Sequence, residues 1–103
     1  MFGLFADINT GIEEYKNTTD AILVDVREKD EYESGHIPGA VNVPLSAIQE
    51  ASLPESAVLF VYCLRGSRSK KAVRKLKEMG YGHAMSIGGI KSYRGDLEKK
   101  ERT

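Results

Sequence analysis

Two short apolar runs constrain the fold of this 103-residue chain more than any other feature of its sequence. The runs cover residues 21–24 and 57–62, are rich in β-branched and aromatic residues, and are each too short to form a buried helix. Continuous apolar runs of this length are typical of strands that are buried on both faces of a parallel sheet. The sequence therefore predicts a parallel sheet that contains both runs.

Segments with helical patterning lie between and after these strands. The clearest covers residues 69–79, has apolar residues three and four positions apart, and is followed by Gly80, a residue that favours helix ends. Helices are predicted at residues 28–34, about 46–51, 69–79 and 90 to about 99, with further strands at 41–43 and 84–86 and, for a sheet of five strands, one near 4–8. Alternating strands and helices indicate the α/β class. We therefore expect a three-layer α/β/α domain, in which helices cover both faces of a sheet of four or five strands.

Composition and charge narrow the classes of function. Apolar residues make up 41% and charged residues 29% of the chain, values typical of one folded domain, here residues 1–103 with a frayed C-terminal tail from about residue 98. Lys and Arg (15 together) balance Asp and Glu (15 together), so the chain lacks the overall basic field that recruits nucleic acid or an anionic membrane. We therefore expect neither of these as a partner.

Two features of the sequence indicate the cellular compartment: the single cysteine, Cys63, and the first residues of the chain. One cysteine cannot form an intramolecular disulfide, which fits a reducing compartment. The first residues have no basic region, and their apolar run is too short for a signal peptide or a membrane span. A cytoplasmic protein is therefore expected, and the sequence leaves a monomer and a weak dimer both open.

Cys63 follows a predicted buried strand and precedes a short loop and the basic helix. The loop reads Leu64-Arg65-Gly66-Ser67-Arg68. At the carboxyl edge of a parallel sheet, the next helix directs its free N–H groups and the positive end of its dipole at the loop, an arrangement that binds anions. These groups and the two arginines favour the reactive thiolate form of the cysteine. Because Gly66 relieves the strain of a backbone that curls round one atom, the loop amides could hold the negative outer sulfur of a persulfide.

These residues resemble the active loop of the rhodanese family, in which a cysteine at a strand end is followed by a short glycine-containing turn that wraps a persulfide. Further matching segments occur in the family's order: Asp25-Val26-Arg27-Glu28, Glu31-Tyr32, Gly35-His36-Ile37-Pro38-Gly39-Ala40 with Asn42 and Pro44, and Gly88-Gly89-Ile90, the last of which passes close to the loop in that family. The resemblance covers roughly residues 20–97. It departs at Tyr93, where the family usually has tryptophan, a change expected to alter packing near the C-terminal helix more than chemistry.

The resemblance implies a sulfurtransferase that needs no cofactor. Its Cys63 thiolate takes sulfur from thiosulfate or a persulfide donor and passes it to a thiol or cyanide acceptor, and thioredoxin is one protein thiol of this kind. Cys63 is then the catalytic residue. The substrate loop consists of Leu64, Arg65, Gly66, Ser67 and Arg68. Two half-reactions predict ping-pong kinetics.

Loop length separates sulfur transfer from the chemistry of phosphatases and arsenate reductases. Phosphatases and arsenate reductases of related architecture place five residues between their cysteine and arginine, which makes room for a tetrahedral oxyanion. Only four residues separate Cys63 from Arg68, so a single sulfur atom fits better than a bound phosphate. A non-catalytic binding or regulatory module of the same fold is the other alternative, and the intact cysteine and loop weigh against it.

Other candidate residues have structural explanations of their own. Asp25 and Arg27 end the first buried strand on the same edge as Cys63, and they could support the site or form a structural ion pair, the better explanation for Asp25. His36 could be a general base, although a hydrogen-bonded structural histidine is more common in a turn that leads into a strand. The two histidines and one cysteine lack the spacing of a zinc site, so no metal is predicted.

Overall fold

A computed structural model describes residues 7–99 of the chain. The helices are α1 (Ile8–Lys16), α2 (Lys29–Ser34) and α3 (Ser67–Glu78), with 3₁₀ segments at Leu45–Glu50 and Ile90–Ser92. The strands are β1 (Ala21–Asp25), β2 (Val41–Asn42), β3 (Val58–Cys63) and β4 (Ala84–Gly89). Each strand predicted between residues 21 and 86 is present, with small differences at its ends. No helix within residues 7–99 combines the length and the apolar character that crossing a bilayer requires.

The four strands form one sheet in the order β2-β1-β3-β4, and every neighbouring pair is parallel. The two central strands correspond to the two apolar runs, and they pair from Ala21 opposite Val58 to Asp25 opposite Tyr62. Neither run alternates between apolar and polar residues because both faces of these strands are covered. Parallel pairing brings the carboxyl ends of β1 and β3 to one edge, so Asp25 and Cys63 both lie at that edge.

Helices cover both faces of the sheet. On one face, α3 and the first 3₁₀ segment pack through a cluster that includes Val24, Val61 and Leu76. On the other face, α1 contributes Ile12 to a cluster that includes Phe60. Successive residues of a strand point to opposite faces, which is why Val61 and Phe60 belong to different clusters. The predicted α/β class and three-layer α/β/α architecture are confirmed, with four strands within the described residues.

Helix α1 has no counterpart among the predicted elements. The Asp7 carboxylate accepts hydrogen bonds from the N–H groups of Asn9 at 2.9 Å and Thr10 at 3.4 Å, and so caps the helix start. Gly11 disfavours a helix by about 1 kcal/mol relative to alanine, so the local signal is weak and packing against the sheet decides. Of the strand predicted near residues 4–8, residues 4–6 lie outside the described part. Its last residue, Ile8, begins α1, so the prediction is wrong at that residue.

The helix predicted from residue 90 to about 99 is also wrong. The chain makes one 3₁₀ turn and then runs irregularly to Glu98, whose backbone exchanges two hydrogen bonds of 2.8 Å with that of His36. Gly95 lies against the Tyr93 ring, where a side chain would collide with it. Tyr93 therefore packs beside an irregular segment instead of a helix. The predicted tail is paired at Glu98, and residues 100–103 lie outside the described part.

The contact between α1 and β4 allows a test of how tightly the layers pack. A Cβ atom at Gly11 would lie 2.5 Å from the Cβ of Ile87, whereas one at Gly82 would have nothing within 4 Å. We expect Gly11→Ala to lower the free energy of unfolding by about 1–3 kcal/mol, because overpacking outweighs the better helix propensity of alanine. Gly82→Ala should change it by less than about 0.5 kcal/mol. Urea unfolding followed by circular dichroism measures both, and equal stability of the two variants would contradict this packing.

Candidate active site

Cys63 is the last residue of β3, and a three-residue loop from Leu64 to Gly66 separates it from α3. Its side chain is buried, and Sγ accepts hydrogen bonds from the N–H groups of Gly66 at 2.9 Å and Ser69 at 3.3 Å. The Ser69 N–H belongs to the first turn of α3, where backbone donors have no partner within the helix. The sulfur therefore takes the place of a helix-capping acceptor, and the helix dipole favours negative charge on it. This arrangement can hold a thiolate.

Glycines allow the loop to take this tight course. Gly66 has a φ of 110°, in the left-handed region that a β-carbon disfavours. Gly89, at the end of β4, lies so close that a Cβ atom there would overlap the carbonyl oxygen of Leu64. The same carbonyl accepts a hydrogen bond from the N–H of Lys91 at 3.1 Å. The close passage expected of the Gly88-Gly89 segment is therefore observed, and it holds the loop from the β4 side.

The hydroxyl of Ser69 ties α3 to β4. It donates to the carbonyl of Gly66 at 2.9 Å and shares a hydrogen bond of 2.7 Å with the hydroxyl of Ser86 on β4. Because the Gly66 carbonyl can only accept, the Ser86 hydroxyl is the donor in the second bond. Ser69 is fully buried. These bonds hold the first turn of α3 and so direct the Ser69 N–H at the sulfur.

The two arginines of the loop have different surroundings. Arg68 makes a two-pronged ion pair with Glu31 of α2, with nitrogen–oxygen distances of 2.7 and 3.0 Å. The hydrogen bonds from Arg68 hold the pKa of Glu31 at about 2, well below the usual value of a glutamate. Arg65 is exposed, and no acidic side chain within residues 7–99 pairs with it. Arg68 thus braces α3 against α2, whereas Arg65 faces solvent.

Asp25 and Arg27 lie at the expected edge of the sheet, but on the other face from the sulfur. Side chains alternate along a strand, so Asp25 shares the face of its neighbour Tyr62, while Cys63 belongs to the cluster under α3. The Arg27 guanidinium donates to the Asp25 carboxylate at 2.8 Å and to the carbonyl of Gly35 at 2.6 Å, and both side chains are buried. This geometry favours a structural ion pair for both residues.

His36 also makes structural contacts. Its Nδ1 donates to the carbonyl of Tyr32 at 2.8 Å, and the two rings stack with their centroids 3.8 Å apart. Its Nε2 lies 3.9 Å from a carboxylate oxygen of Glu98. The next residue, Ile37, donates its N–H to the hydroxyl of Tyr62 at 3.1 Å, and burial raises the pKa of that tyrosine, which keeps the hydroxyl protonated. These contacts fix the turn between α2 and β2, and none of them includes the sulfur.

Three residues of the site have no counterpart among the predicted site residues: Glu31, Ser69 and Ser86. Glu31 stands 37 residues before Arg68, and only the packing of α2 beside α3 brings the two together. Ser69 did carry a local signal, as a serine at the start of a helix that faces the cysteine. Ser86 carried none, since its contact depends on the order of the strands. Within residues 7–99, no three His, Cys, Asp or Glu side chains cluster closely enough to hold a metal ion.

Comparison with known families agrees with this geometry. A model described as the Rhodanese-like domain matches residues 9–96, which include every strand and the whole cysteine loop. This chain belongs to the rhodanese-like family. The resemblance that the sequence motifs indicate is thereby confirmed.

Relatives of this rhodanese-like domain include sulfurtransferases. It is 38% identical over 72 residues to the thiosulfate sulfurtransferase PspE of Escherichia coli (strain K12), an alignment that covers 66% of this chain and 69% of that protein. It is 33% identical over 88 residues to the adenylyltransferase and sulfurtransferase uba4 of Ogataea parapolymorpha, covering 82% of this chain but 23% of that protein. The chain therefore spans about a quarter of that longer relative.

Solved structures show the same fold. One described as a rhodanese with anions from E. coli superposes with a TM-score of 0.69 at 34% sequence identity. The superposition covers 77% of this chain and 98% of that one. The cysteine loop of this chain therefore sits in the architecture that a rhodanese uses.

The ion pair between Glu31 and Arg68 predicts a pH-dependent part of the stability. A carboxyl whose pKa is lowered on folding stabilises the folded state above its ordinary pKa, 4.5 here, and this contribution disappears as the pH falls towards about 2. Glu31→Gln removes the charge but keeps an oxygen that can accept from the N–H of Glu28, as Glu31 does at 3.1 Å. We expect the variant to be less stable than wild type by about 1 kcal/mol at neutral pH, since the pair is partly exposed. Urea unfolding should show this gap closing between pH 4.5 and about 2, and a gap independent of pH would contradict the assignment.

Proposed function

We propose that this rhodanese-like domain is a sulfurtransferase that carries sulfur as a persulfide on Cys63. The observation that carries the proposal is the pair of N–H groups, from Gly66 and Ser69, that donate to the sulfur. Backbone N–H groups at a helix start stabilise negative charge both as hydrogen-bond donors and through the dipole. A module that only binds a partner needs no such arrangement, so the geometry supports an enzyme over a binding module.

The first half-reaction loads the cysteine. The Cys63 thiolate attacks the outer sulfur of thiosulfate, the new S–S bond forms, and the S–S bond of the donor breaks so that sulfite leaves with its electron pair. A persulfide donor reacts in the same way and leaves as a thiolate. In both cases the outer sulfur keeps one negative charge beside the amides of the loop. No cofactor takes part.

The second half-reaction removes the transferred sulfur from Cys63. Cyanide or an acceptor thiolate attacks the outer sulfur, the S–S bond to Cys63 breaks, and the cysteine returns as a thiolate while thiocyanate or a new persulfide departs. Charge is conserved in each half-reaction, and no external oxidant or reductant is needed. The donor product leaves before the acceptor reacts, which makes the kinetics ping-pong.

The other loop residues take supporting roles in this proposal. Arg65, exposed beside the cysteine, attracts the anionic donor, and Arg68 acts through Glu31 to position the start of α3. Leu64, Gly66 and Ser67 shape the loop backbone. On the other face of the sheet, Asp25, Arg27 and His36 hold the turn after α2.

Loop length supports sulfur over phosphate as the transferred group. The N–H groups of Gly66, the last residue of the loop, and of Ser69, in the first turn of α3, both reach the sulfur, and Gly89 lies against the backbone of Leu64. Because the loop is held this close to Cys63, it fits one additional sulfur atom better than a tetrahedral phosphate group. The names of two relatives, a thiosulfate sulfurtransferase and a rhodanese with bound anions, point to the same chemistry.

Replacing the nucleophile tests the proposal directly. We expect wild type incubated with thiosulfate to gain the mass of one sulfur atom and to form thiocyanate from cyanide, and Cys63→Ser to do neither, with a rate at least about 10³-fold lower. Intact-mass spectrometry and a colorimetric thiocyanate assay measure the two results. If wild type acquires no sulfur from thiosulfate or from a low-molecular-weight persulfide, the proposal fails.

A pair of glycine variants separates the role of the loop from general stability. Gly66 and Gly80 flank α3 and have similar left-handed φ values of 110° and 106°. Alanine at either position should cost about 1–2 kcal/mol of stability through backbone strain. Only Gly66→Ala should displace the amide that faces the sulfur, and we expect its kcat/KM to fall by about tenfold or more. Similar activity of the Gly66→Ala and Gly80→Ala proteins, compared well below their melting temperatures, would refute the role of the amide.

A further inference from the structure

Helix α3 carries positive charge that the transfer chemistry at Cys63 does not use. Six of its residues are Lys or Arg, and its only acidic residue is Glu78. Five of the six are exposed and make no ion pair with an acidic side chain of the described residues: Lys70, Lys71, Arg74, Lys75 and Lys77. Since the whole chain has no net charge, this helix concentrates positive charge that the rest of the protein offsets.

Helix stability explains only part of this charge. Lys75 and Lys77 lie in the last turn, where cations interact favourably with the helix dipole. Lys70 and Lys71 lie near the start, where the dipole opposes them, and Lys70 has Arg74, a like charge, four residues further on. Unlike Arg68, which Glu31 neutralises, Lys70 and Lys71 lower the stability of the helix. We call Lys70, Lys71 and Arg74 the basic face.

The basic face adjoins the cysteine loop. Ser69, Ala72 and Leu76 are the buried residues of α3, and the three residues of the basic face are exposed on the side of the helix away from them. The helix begins four residues after Cys63, and the exposed Arg65 extends the positive surface into the loop itself. A large molecule that lies along the first two turns of α3 would therefore lie beside the cysteine loop.

We propose that the basic face docks an acidic protein whose cysteine exchanges sulfur with Cys63. This inference rests on the sulfurtransferase function proposed above and adds the chemical class of the partner. Charge complementarity selects an acidic surface. A protein fits better than a nucleic acid, because α3 has no aromatic side chain on which a base could stack.

The exchange itself explains why positive charge is useful there. The partner's thiolate attacks the outer sulfur of the Cys63 persulfide, a new S–S bond forms on the partner, and the bond to Cys63 breaks to release its thiolate. Two negative charges meet before the step and two remain after it, so no oxidant or reductant is consumed. Nearby cations lower the repulsion between the two anions as they approach.

Two synthetic acceptor peptides provide the probe. Each has one cysteine, followed in one peptide by several glutamates and in the other by glutamines at the same positions. Transfer from the persulfide-loaded full-length protein is followed by mass spectrometry, and cyanide serves as a third acceptor. We expect the glutamate peptide to react about tenfold faster than the glutamine peptide at low salt, with the two rates converging at high salt because the attraction is screened.

Two double variants locate the effect on the helix. Lys70→Gln with Lys71→Gln removes two charges beside the loop, and Lys75→Gln with Lys77→Gln removes two charges from the far end of the same helix. Dividing each peptide rate by the cyanide rate of the same protein removes any change at Cys63 itself. We expect the first double variant to lose most of the advantage of the glutamate peptide and the second to keep most of it.

The outcomes separate this proposal from the function on which it rests. Normal transfer to cyanide with equal rates for the two peptides would overturn the docking proposal and leave the sulfurtransferase intact. Equal losses in the two double variants would also overturn it, since that result indicates a general charge effect. Binding of a single-stranded RNA oligonucleotide that requires Lys70 and Lys71, without any peptide preference, would assign the face to nucleic acid instead. Loss of transfer to every acceptor would remove the proposed function itself.

Discussion

The hydrogen bonds that reach Cys63 Sγ depend on the direct succession of a buried strand and a helix. Parallel pairing on both sides of β3 places its last residue at the carboxyl edge of the sheet. The first turn of α3 has N–H groups that need acceptors, and the sulfur accepts from the one at Ser69. A thiol that would otherwise be a small buried hydrophobe is thereby placed where negative charge is stabilised.

Contacts between residues far apart in the chain keep this junction in place. Glu31 holds the second residue of α3 through Arg68, Ser86 holds the third through Ser69, and Gly89 lets β4 approach the loop backbone. These contacts come from two elements, α2 and β4, so the start of α3 is fixed from two sides. Preorganisation of this kind lowers the reorganisation needed when charge develops on a bound group.

The cations near the loop differ in role: those that face an acidic side chain stabilise the structure, and those that face solvent are proposed to bind a partner. Arg68 faces Glu31 and is neutralised, whereas Arg65 faces solvent although it belongs to the same loop. Along α3, Lys75 and Lys77 stabilise the helix end, whereas Lys70 and Lys71 lie near the start, where the dipole opposes them. Cations that lower the stability of a helix beside a reactive site are therefore candidates for contacts with a binding partner.

Local sequence determined the sheet and the cysteine loop, and tertiary packing decided the elements with weak local signals. The apolar runs, Gly66 and Gly80 carry signals that depend only on their neighbours in the chain, so the central strands and both ends of α3 could be predicted. Helix α1 has Gly11 on its buried side, and the segment after Ile90 pairs with His36 instead of forming a helix. Long-range contacts therefore decide the conformation of both segments.

The candidate site divides in the same way. Cys63 and its loop were predictable because a strand, a turn and a helix start follow one another directly. The partners of that loop were not, because Glu31 and Ser86 meet it only through the order of the strands and the placement of α2. Asp25 shares the edge of Cys63 but points to the other face, a consequence of strand alternation and register that only the assembled sheet decides.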